Sequence, residues 1–295
     1  QMVKAELTKT AYKGAYSTDW YMSDHTKVGT TSFLKDKGLI EIELPSGKNQ
    51  ETEKIKYVKI YPIKNDEEST LSKDEKVKST GSGFIIAETG LLVTNWHVVN
   101  GNNSIEVYLP QIEKSYFAEI VLKDANNDVA ILRLKDFEYS KIFEKSPPFT
   151  IIQSNQSKLG QDVFTLGFPL GDILGKSAKL STGTLNSLYG LKDDPRLFQI
   201  STPIQPGNSG GALFNKNGEI VGIVVASLNA KYFYENADII PQNVNFAVKS
   251  DYLLNLISML PEEPSIKKRQ NRLLGLKLEK QIEEISPFIV TIKVK

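Results

Sequence analysis

The chain contains no cysteine and only two histidines among its 295 residues. The absence of cysteine excludes disulfides, thiolate catalysis and cysteine-based zinc sites. No apolar run approaches the ~18–20 residues that a membrane-spanning helix requires. The formal net charge of +1 provides no overall field that would favour nucleic acid or an anionic membrane as a partner. With so few cysteine and histidine side chains available as ligands, no metal site is expected, and no cofactor is expected either. The cysteine count does not decide in which compartment the protein lies.

The scarcity of histidine reduces the search for a general base to two residues. His25 lies in a polar stretch and is expected at the surface. His97 lies within Thr94–Val99, after an apolar strand and between an aromatic and an aliphatic neighbour. A neutral imidazole that is partly shielded from water can accept a proton from a hydroxyl group. His97 is therefore the candidate base.

A glycine-rich run, Gln205-Pro206-Gly207-Asn208-Ser209-Gly210-Gly211, surrounds the candidate nucleophile. A serine that attacks a carbonyl carbon needs an exposed Oγ and backbone N–H groups nearby to hold the developing oxyanion. Glycines on both sides permit a tight backbone, partly at positive φ, that turns such amides toward one point. Taken alone, the run could equally be a hairpin corner.

A third group must orient the imidazole, and Asp128 is the best candidate. It stands immediately before the wholly apolar strand Val129–Leu132, where a carboxylate is expected to be half-buried and to need a partner. Asp124, in a more polar context, is the alternative. With Asp128, the three groups follow in the chain order His, Asp, Ser, which favours joint catalysis over three unrelated structural roles.

From Gly81 onward the chain consists of short apolar strands separated by turn residues. Eleven such strands are expected, on both sides of the Pro147-Pro148 break. This spacing is typical of an all-β barrel or sandwich, and the central break predicts two barrels side by side. A helix is expected from Ser250 to Leu260, because Pro261 and Pro264 end it.

The preceding residues predict two further parts. Residues 1–64 are expected to form a small β-rich unit, because 38–44 alternates apolar and acidic residues and 55–63 predicts a second strand. Residues 65–80 are dense in charge and poor in apolar side chains, which indicates a linker.

Residues 261–295 are expected to be a C-terminal extension. About 35 residues are too few for an independent domain without disulfides or metal. The stretch Phe288–Ile292 has the composition of a strand. The segment is expected to pack on the rest of the chain or to begin a removed domain.

Three segments together resemble the chymotrypsin-fold serine proteases, in particular their HtrA/Deg-like branch. They are the histidine segment Gly81–Ile86 with Leu92–Val99, the aspartate segment Asn127–Leu132 and the serine segment Pro206–Leu213. The resemblance implies that residues 81–260 form a trypsin-like protease domain, all-β, with two six-stranded β-barrels and a C-terminal helix. Members of the branch usually carry PDZ domains after the protease, and residues 261–295 are too few for one.

The resemblance implies a serine endopeptidase whose cleft lies between the two barrels. Ser209 would be the nucleophile, His97 the general base and then acid, and Asp128 the orienting carboxylate. The N–H groups of Gly207 and Ser209, aided by the Asn208 peptide, would form the oxyanion hole. The partner would be a protein or peptide substrate, and a bacterial periplasmic or secreted location is favoured over a cytoplasmic one.

The first specificity pocket is expected to be uncharged. This predicts a preference for aliphatic or small side chains before the scissile bond, with the substrate pairing as an added strand. The residues expected to contact the substrate are Pro203, Ile204, Gln205, Val224, Val225 and Ala226.

Two alternatives stay open at this point. The fold could serve as a catalytically weak module that holds peptides in the same cleft. The enzyme could also be activated by a partner, with residues 1–64 docking a protein target or effector.

Overall fold

Two closed β-barrels dominate the computed structural model of the chain. The structure describes residues 79–101, 104–169, 175, 177–225 and 244–295, together with four backbone strands between residues 4 and 43. The chain divides into two compact units, Gln1–Asp74 and Glu75–Lys295. Within the described residues, no helix is both long enough and apolar enough to cross a membrane.

The first unit contains a four-stranded antiparallel sheet. Its strands follow one another in sequence order: β1 (Lys4–Thr8), β2 (Ala15–Tyr21), β3 (Lys27–Leu34) and β4 (Leu39–Glu43). Strand β4 falls within the alternating stretch 38–44. The strand expected over 55–63, most of the linker and His25 lie outside the described residues.

The first barrel has six antiparallel strands. They are β5 (Ser79–Ile85), β6 (Leu91–Thr94), β7 (Ile105–Leu109), β8 (Lys114–Asp124), β9 (Val129–Leu134) and β16 (Ile289–Val294). The order around the barrel is β16-β5-β6-β9-β8-β7. Because β6 and the first four residues of β9 are buried on both faces, they read as near-continuous apolar runs rather than alternating ones.

The second barrel also closes with six antiparallel strands. They are β10 (Asp162–Gly167), β11 (Lys179–Ser187), β12 (Leu197–Ile200), β13 (Ala212–Asn215), β14 (Ile220–Val225) and β15 (Asn245–Lys249). The order around the barrel is β10-β11-β12-β15-β14-β13. The predicted fold class, all-β with two six-stranded barrels, is confirmed.

An aromatic cluster packs where the two barrels meet. Phe149, just after the Pro147-Pro148 break, is buried with its ring centroid 6.4 Å from Phe84 of the first barrel. The same ring lies 5.6 Å from Phe214 of the second barrel and 6.2 Å from Phe288. These edge-to-face contacts join the barrels through the segment that connects them.

Besides five single-turn 3-10 helices, the described part of the chain also contains four short α-helices. They are α1 (Trp96–Val99), α2 (Ser250–Ile257), α3 (Glu263–Lys267) and α4 (Leu278–Ile285). Helix α2 falls within the predicted range. After α3, Arg269 donates to the carbonyl oxygen of Ile86 at 2.9 Å, and Arg272 donates to Ser146. These bonds fasten the C-terminal segment to the first barrel and to the connecting segment.

Strand β16 gives that C-terminal segment a place in the first barrel. It lies between β5 and β7, and Ile292 is opposite Gly81 on one side and Val107 on the other. The barrel therefore takes one strand from residues 261–295, beyond the boundary expected at residue 260. The segment supplies core as well as hydrogen bonds, since four of the six β16 side chains are buried.

Replacing Ile292 with alanine is expected to destabilise the barrel by about 2–5 kcal/mol, as for other buried Ile→Ala changes. The side chain is fully buried, and a Cβ on Gly83 would lie only 2.9 Å from its Cδ1. The measurement is urea unfolding followed by Trp96 fluorescence in a Trp20→Phe background. The half-buried neighbour Lys293 is the control, because Lys293→Ala should change stability by only ~0.5 kcal/mol. Equal effects of the two variants would mean that β16 is not part of the barrel core.

Candidate active site

His97 and Asp128 form a closely bonded pair at the edge of the first barrel. Asp128 Oδ2 lies 2.7 Å from His97 Nδ1, and Oδ1 accepts the backbone N–H of His97 at 2.8 Å. An ionised carboxylate only accepts hydrogen bonds, so Nδ1 carries the hydrogen and Nε2 of the neutral ring is left as an acceptor. The side chains are 35% and 26% exposed, so the pair is open to a substrate.

The backbone at Asp128 explains how the pair is held. Its φ of 55° lies in the left-handed region, which Asp and Asn adopt more readily than most residues. The carbonyl oxygen of Asp128 accepts the N–H of Trp96 at 3.2 Å and Nδ2 of Asn95 at 2.9 Å. The loop that carries the carboxylate is therefore bonded to the turn that carries the imidazole, through backbone and side chain alike.

Asp124, the alternative acid, has a different role in the same loop. Its Oδ1 accepts the N–H groups of Asn126 and Asn127 at 3.1 and 3.0 Å. Its Oδ2 accepts Nδ2 of Asn127 at 2.6 Å. This is an Asx-type turn, in which the side chain stabilises the loop preceding Asp128.

Ser209 lies in the loop between β12 and β13, in the second barrel. Ser209 is 5% exposed, and its carbonyl oxygen accepts the N–H of Ser82 from β5 at 2.8 Å. Gly210 has φ 88°, and a Cβ there would collide with Thr94 Oγ1 and the carbonyl oxygen of Ser82. The loop therefore packs against the residues just before His97, and only glycine fits at position 210.

Two of the three predicted oxyanion residues, Gly207 and Asn208, belong to the four-residue turn that begins at Gln205. The N–H of Asn208 donates to the carbonyl oxygen of Gln205 at 3.0 Å, with Gly207 between them at φ 98°. A positive φ at the third position is typical of a type II turn and requires glycine. The Asn208 N–H is thus used inside the turn, so the donors to consider for an oxyanion are those of Gly207 and Ser209.

The predicted substrate-contacting residues differ in how exposed they are and in whether their backbone groups are already paired. Pro203 and Gln205 are exposed, and Ile204 is half-buried against the core of the second barrel. Val224 is fully buried, and both of its backbone groups pair with the nucleophile loop, at Gly210 and Gly211. The backbone groups of Val224 are therefore already paired and not open to an added strand. Ala226 lies outside the described residues.

A cavity of about 310 Å³ opens beside the His–Asp pair. Val225 is the one predicted substrate-contacting residue in its lining. The cavity is lined by Trp96, His97, Asn100, Ala125, Asn126, Asn127, Asp128, Asp194, Arg196, Leu197, Val225 and Val248. Both barrels contribute residues to this lining. Among the described residues, no three or more His, Cys, Asp or Glu side chains are grouped so that they could hold a metal ion.

Arg196 is a cavity residue that the sequence reasoning missed. Its guanidinium binds the Asp194 carboxylate at 2.7 and 2.9 Å and donates to the carbonyl oxygen of Asn126 at 2.8 Å. Hydrogen bonding from this guanidinium lowers the pKa of the Asp194 carboxyl. The sequence signal was an acid and a base flanking Pro195, but nothing local indicated a bond to a loop 70 residues away.

Two six-stranded barrels, with a His–Asp pair on the first and a glycine-flanked serine on the second, define the chymotrypsin-fold class of serine proteases. The family model for the trypsin-like peptidase domain matches residues 81–223. Relatives include a probable periplasmic serine endoprotease DegP-like of Halomonas elongata, 32% identical over 197 residues, and the serine protease Do-like HtrA of Lactococcus lactis, 28% identical over 201. The fold and these matches support a chymotrypsin-fold, HtrA-like serine protease domain over residues 81–223, and the predicted resemblance is confirmed.

The similarity covers a limited part of each relative. An uncharacterized protein of Sinorhizobium fredii is 37% identical over 190 residues, which is 64% of this chain and 29% of that protein. The Halomonas and Lactococcus matches each cover 65% of this chain, and 37% and 47% of the relatives. The chain thus spans less than half the length of these curated relatives.

Proposed function

We propose that the protein is a serine endopeptidase with Ser209 as nucleophile, His97 as general base and Asp128 as orienting carboxylate. The two-point contact between Asp128 and His97 carries this proposal, because it fixes both the ring orientation and the tautomer. A peptide-holding module has no physical need for that arrangement. The packing of the Ser209 loop against Thr94 supports the same conclusion.

The reaction follows from this geometry. Ser209 Oγ attacks the carbonyl carbon of the scissile bond while its proton passes to His97 Nε2. The Asp128 carboxylate stabilises the imidazolium, and the N–H groups of Gly207 and Ser209 hold the oxyanion. Collapse of the tetrahedral intermediate expels the amine, which takes the proton from His97. Water, deprotonated by His97, then hydrolyses the acyl-enzyme.

Fluorophosphonate labelling, read together with cleavage of unfolded casein, tests the proposal. Labelling reports an activated serine, and casein cleavage reports turnover. The weak-module alternative predicts neither. A chain beginning near Lys78 separates the partner-activated alternative: full activity of that chain would make residues 1–64 dispensable for the chemistry, and loss of activity would support an activating role.

The proposal includes cleavage after aliphatic or small residues. The segment before the nucleophile, Pro203 to Gln205, carries no charge, and Ile204 rests on the apolar core of the second barrel. A substrate Lys or Arg in this pocket would lose hydration without gaining a counter-charge. A periplasmic or secreted location also belongs to the proposal, supported by the names of the DegP-like relatives.

In a panel of peptides that differ only in the residue before the scissile bond, Ala, Val and Leu are expected to be cleaved at least ~10-fold better than Lys or Arg. That factor corresponds to only ~1.4 kcal/mol, well within the cost of burying an unpaired charge. The measurement is kcat/KM for each peptide. Ile204→Asp should raise the rate for Lys relative to Val. A native preference for Lys or Arg would contradict the assignment.

A further inference from the structure

Ser82 connects the first barrel to the nucleophile loop of the second. It is a fully buried residue of β5, and its Oγ donates to the carbonyl oxygen of Gly207 at 2.7 Å, across 125 residues of sequence. The same Oγ accepts the N–H of Phe168 at 3.0 Å. Its backbone N–H donates to the carbonyl oxygen of Ser209 at 2.8 Å. One residue therefore bonds to two members of the loop.

The bond to Gly207 fixes a particular peptide group. The carbonyl of Gly207 and the N–H of Asn208 belong to the same planar unit. Ser82 holds its oxygen, and the Gln205 carbonyl holds its N–H at 3.0 Å. The unit is thus bonded at both ends, once from the opposite barrel and once from within the turn.

The torsion angles on either side of this peptide set the angle between the two proposed oxyanion donors. In sequence, the Gly207–Asn208 peptide lies between the N–H of Gly207 and the N–H of Ser209. Gly207 has a left-handed φ of 98° and, lacking a Cβ, resists rotation of its flanking peptides less than any other residue. A change in the ψ of Gly207 that the φ of Asn208 does not compensate would turn one donor relative to the other, so a bond that fixes this carbonyl holds the two donors in one relative orientation.

We propose that Ser82 is a positioning residue that holds the oxyanion-hole donors in place from the opposite barrel, an inference that rests on the proposed serine endopeptidase function. Preorganised donors stabilise the charge that develops in the transition state and contribute little to binding the uncharged substrate. Loss of the Ser82 hydroxyl should therefore lower kcat and leave KM nearly unchanged.

The Ser82 hydroxyl lies in closely packed surroundings. Gly167 approaches so closely that a Cβ there would lie 3.0 Å from Ser82 Oγ and 2.6 Å from Asn208 Oδ1. In the Ser82→Ala variant, the carbonyl of Gly207 and the N–H of Phe168 would each lose this partner in a buried site. Rotation of the Gly207–Asn208 peptide is the route by which that carbonyl can find another one.

The test measures kcat, KM and inhibition in Ser82→Ala. Removing an oxyanion donor itself costs ~10²–10³ in kcat, and removing its support is expected to cost about tenfold. A peptidyl trifluoromethyl ketone adds Ser209 Oγ and places an oxyanion in the hole, so its inhibition constant should rise by the same factor as kcat/KM falls. The carboxylate product peptide, which forms no oxyanion, should bind equally to both proteins.

Two further variants separate positioning from a loss of folding. Ser82→Thr keeps the hydroxyl and should recover most of kcat. Ser250→Ala removes another fully buried serine hydroxyl, which donates to the carbonyl oxygen of Ile152, and should leave kcat unchanged. All rates are expressed per active site titrated with fluorophosphonate, so that unfolded molecules are not counted.

Three results would overturn the proposal: an unchanged kcat per titrated site in Ser82→Ala, a loss confined to KM, or equal weakening of the ketone and the product peptide. Failure of the endopeptidase assignment would be visible separately, because the native protein would then not be labelled by fluorophosphonate at all.

Discussion

Ser209→Ala is expected to abolish fluorophosphonate labelling and to reduce casein cleavage to background, a loss of about 10⁶ in kcat by analogy with nucleophile removal in other serine proteases. Without Oγ there is no atom to form the acyl-enzyme or the phosphonyl adduct. The fold should be kept, since Ser209→Ala removes a single oxygen atom and leaves the backbone bond from Ser82 to the Ser209 carbonyl in place. The measurement is gel-based labelling beside a casein assay, with circular dichroism as the check on folding.

The control for this variant is another serine. Ser258 lies just after helix α2, where its Oγ donates to the carbonyl oxygen of Asn255 at 2.6 Å. Ser258→Ala makes the same chemical change away from the His–Asp pair and should keep full labelling. Retained labelling of Ser209→Ala would rule out Ser209 as the nucleophile and, with it, the proposed mechanism.

Asp128→Asn is expected to lower kcat by ~10⁴, the loss seen when the orienting carboxylate of a serine protease triad becomes an amide. In the native protein, the Asp128 carboxylate accepts hydrogen bonds from His97 Nδ1 and from the His97 backbone N–H. An amide has one acceptor oxygen for these two donors, so its NH₂ group would favour the tautomer in which Nε2 carries the hydrogen. That tautomer cannot take the proton from Ser209.

Asparagine is the best substitution for this test because it can adopt the left-handed backbone conformation of Asp128. Asn tolerates the φ of 55° as well as Asp does, so the loop should keep its conformation. Asp124→Asn is the matched control, since an amide oxygen can still accept the N–H groups of Asn126 and Asn127. The measurement is kcat on a peptide substrate for both variants. If Asp124→Asn caused the larger loss, Asp124 would be the orienting acid.

Local patterns predicted most strands and the candidate residues. Most strands of both barrels could be predicted because a short apolar run between turn residues identifies a strand from about five to ten neighbouring residues. Ser209 could be singled out because the glycines that shape its turn are its immediate neighbours. Asp128 could be preferred to Asp124 because a carboxylate beside an apolar strand needs a partner, and the structure places it against His97.

Pairings across long sequence separations could not be predicted in this way. The stretch Phe288–Ile292 reads as a strand, but its composition does not indicate that β16 would lie between β5 and β7. The Arg196 bond to Asn126 and the Ser82 bond to Gly207 likewise join residues 70 and 125 positions apart. Nothing in the sequence Gly81-Ser82-Gly83 indicates that the serine hydroxyl binds the carbonyl oxygen of Gly207.

The sequence by itself therefore determined the class of fold, the candidate residues of the site and the absence of cysteine chemistry, because propensity, turn geometry and residue type act over a few neighbouring positions. Only the tertiary structure decided which strand completes the first barrel and which residues hold the two halves of the site together. Those choices depend on burial and hydrogen bonding between distant segments, and these exist only once the chain has closed both barrels.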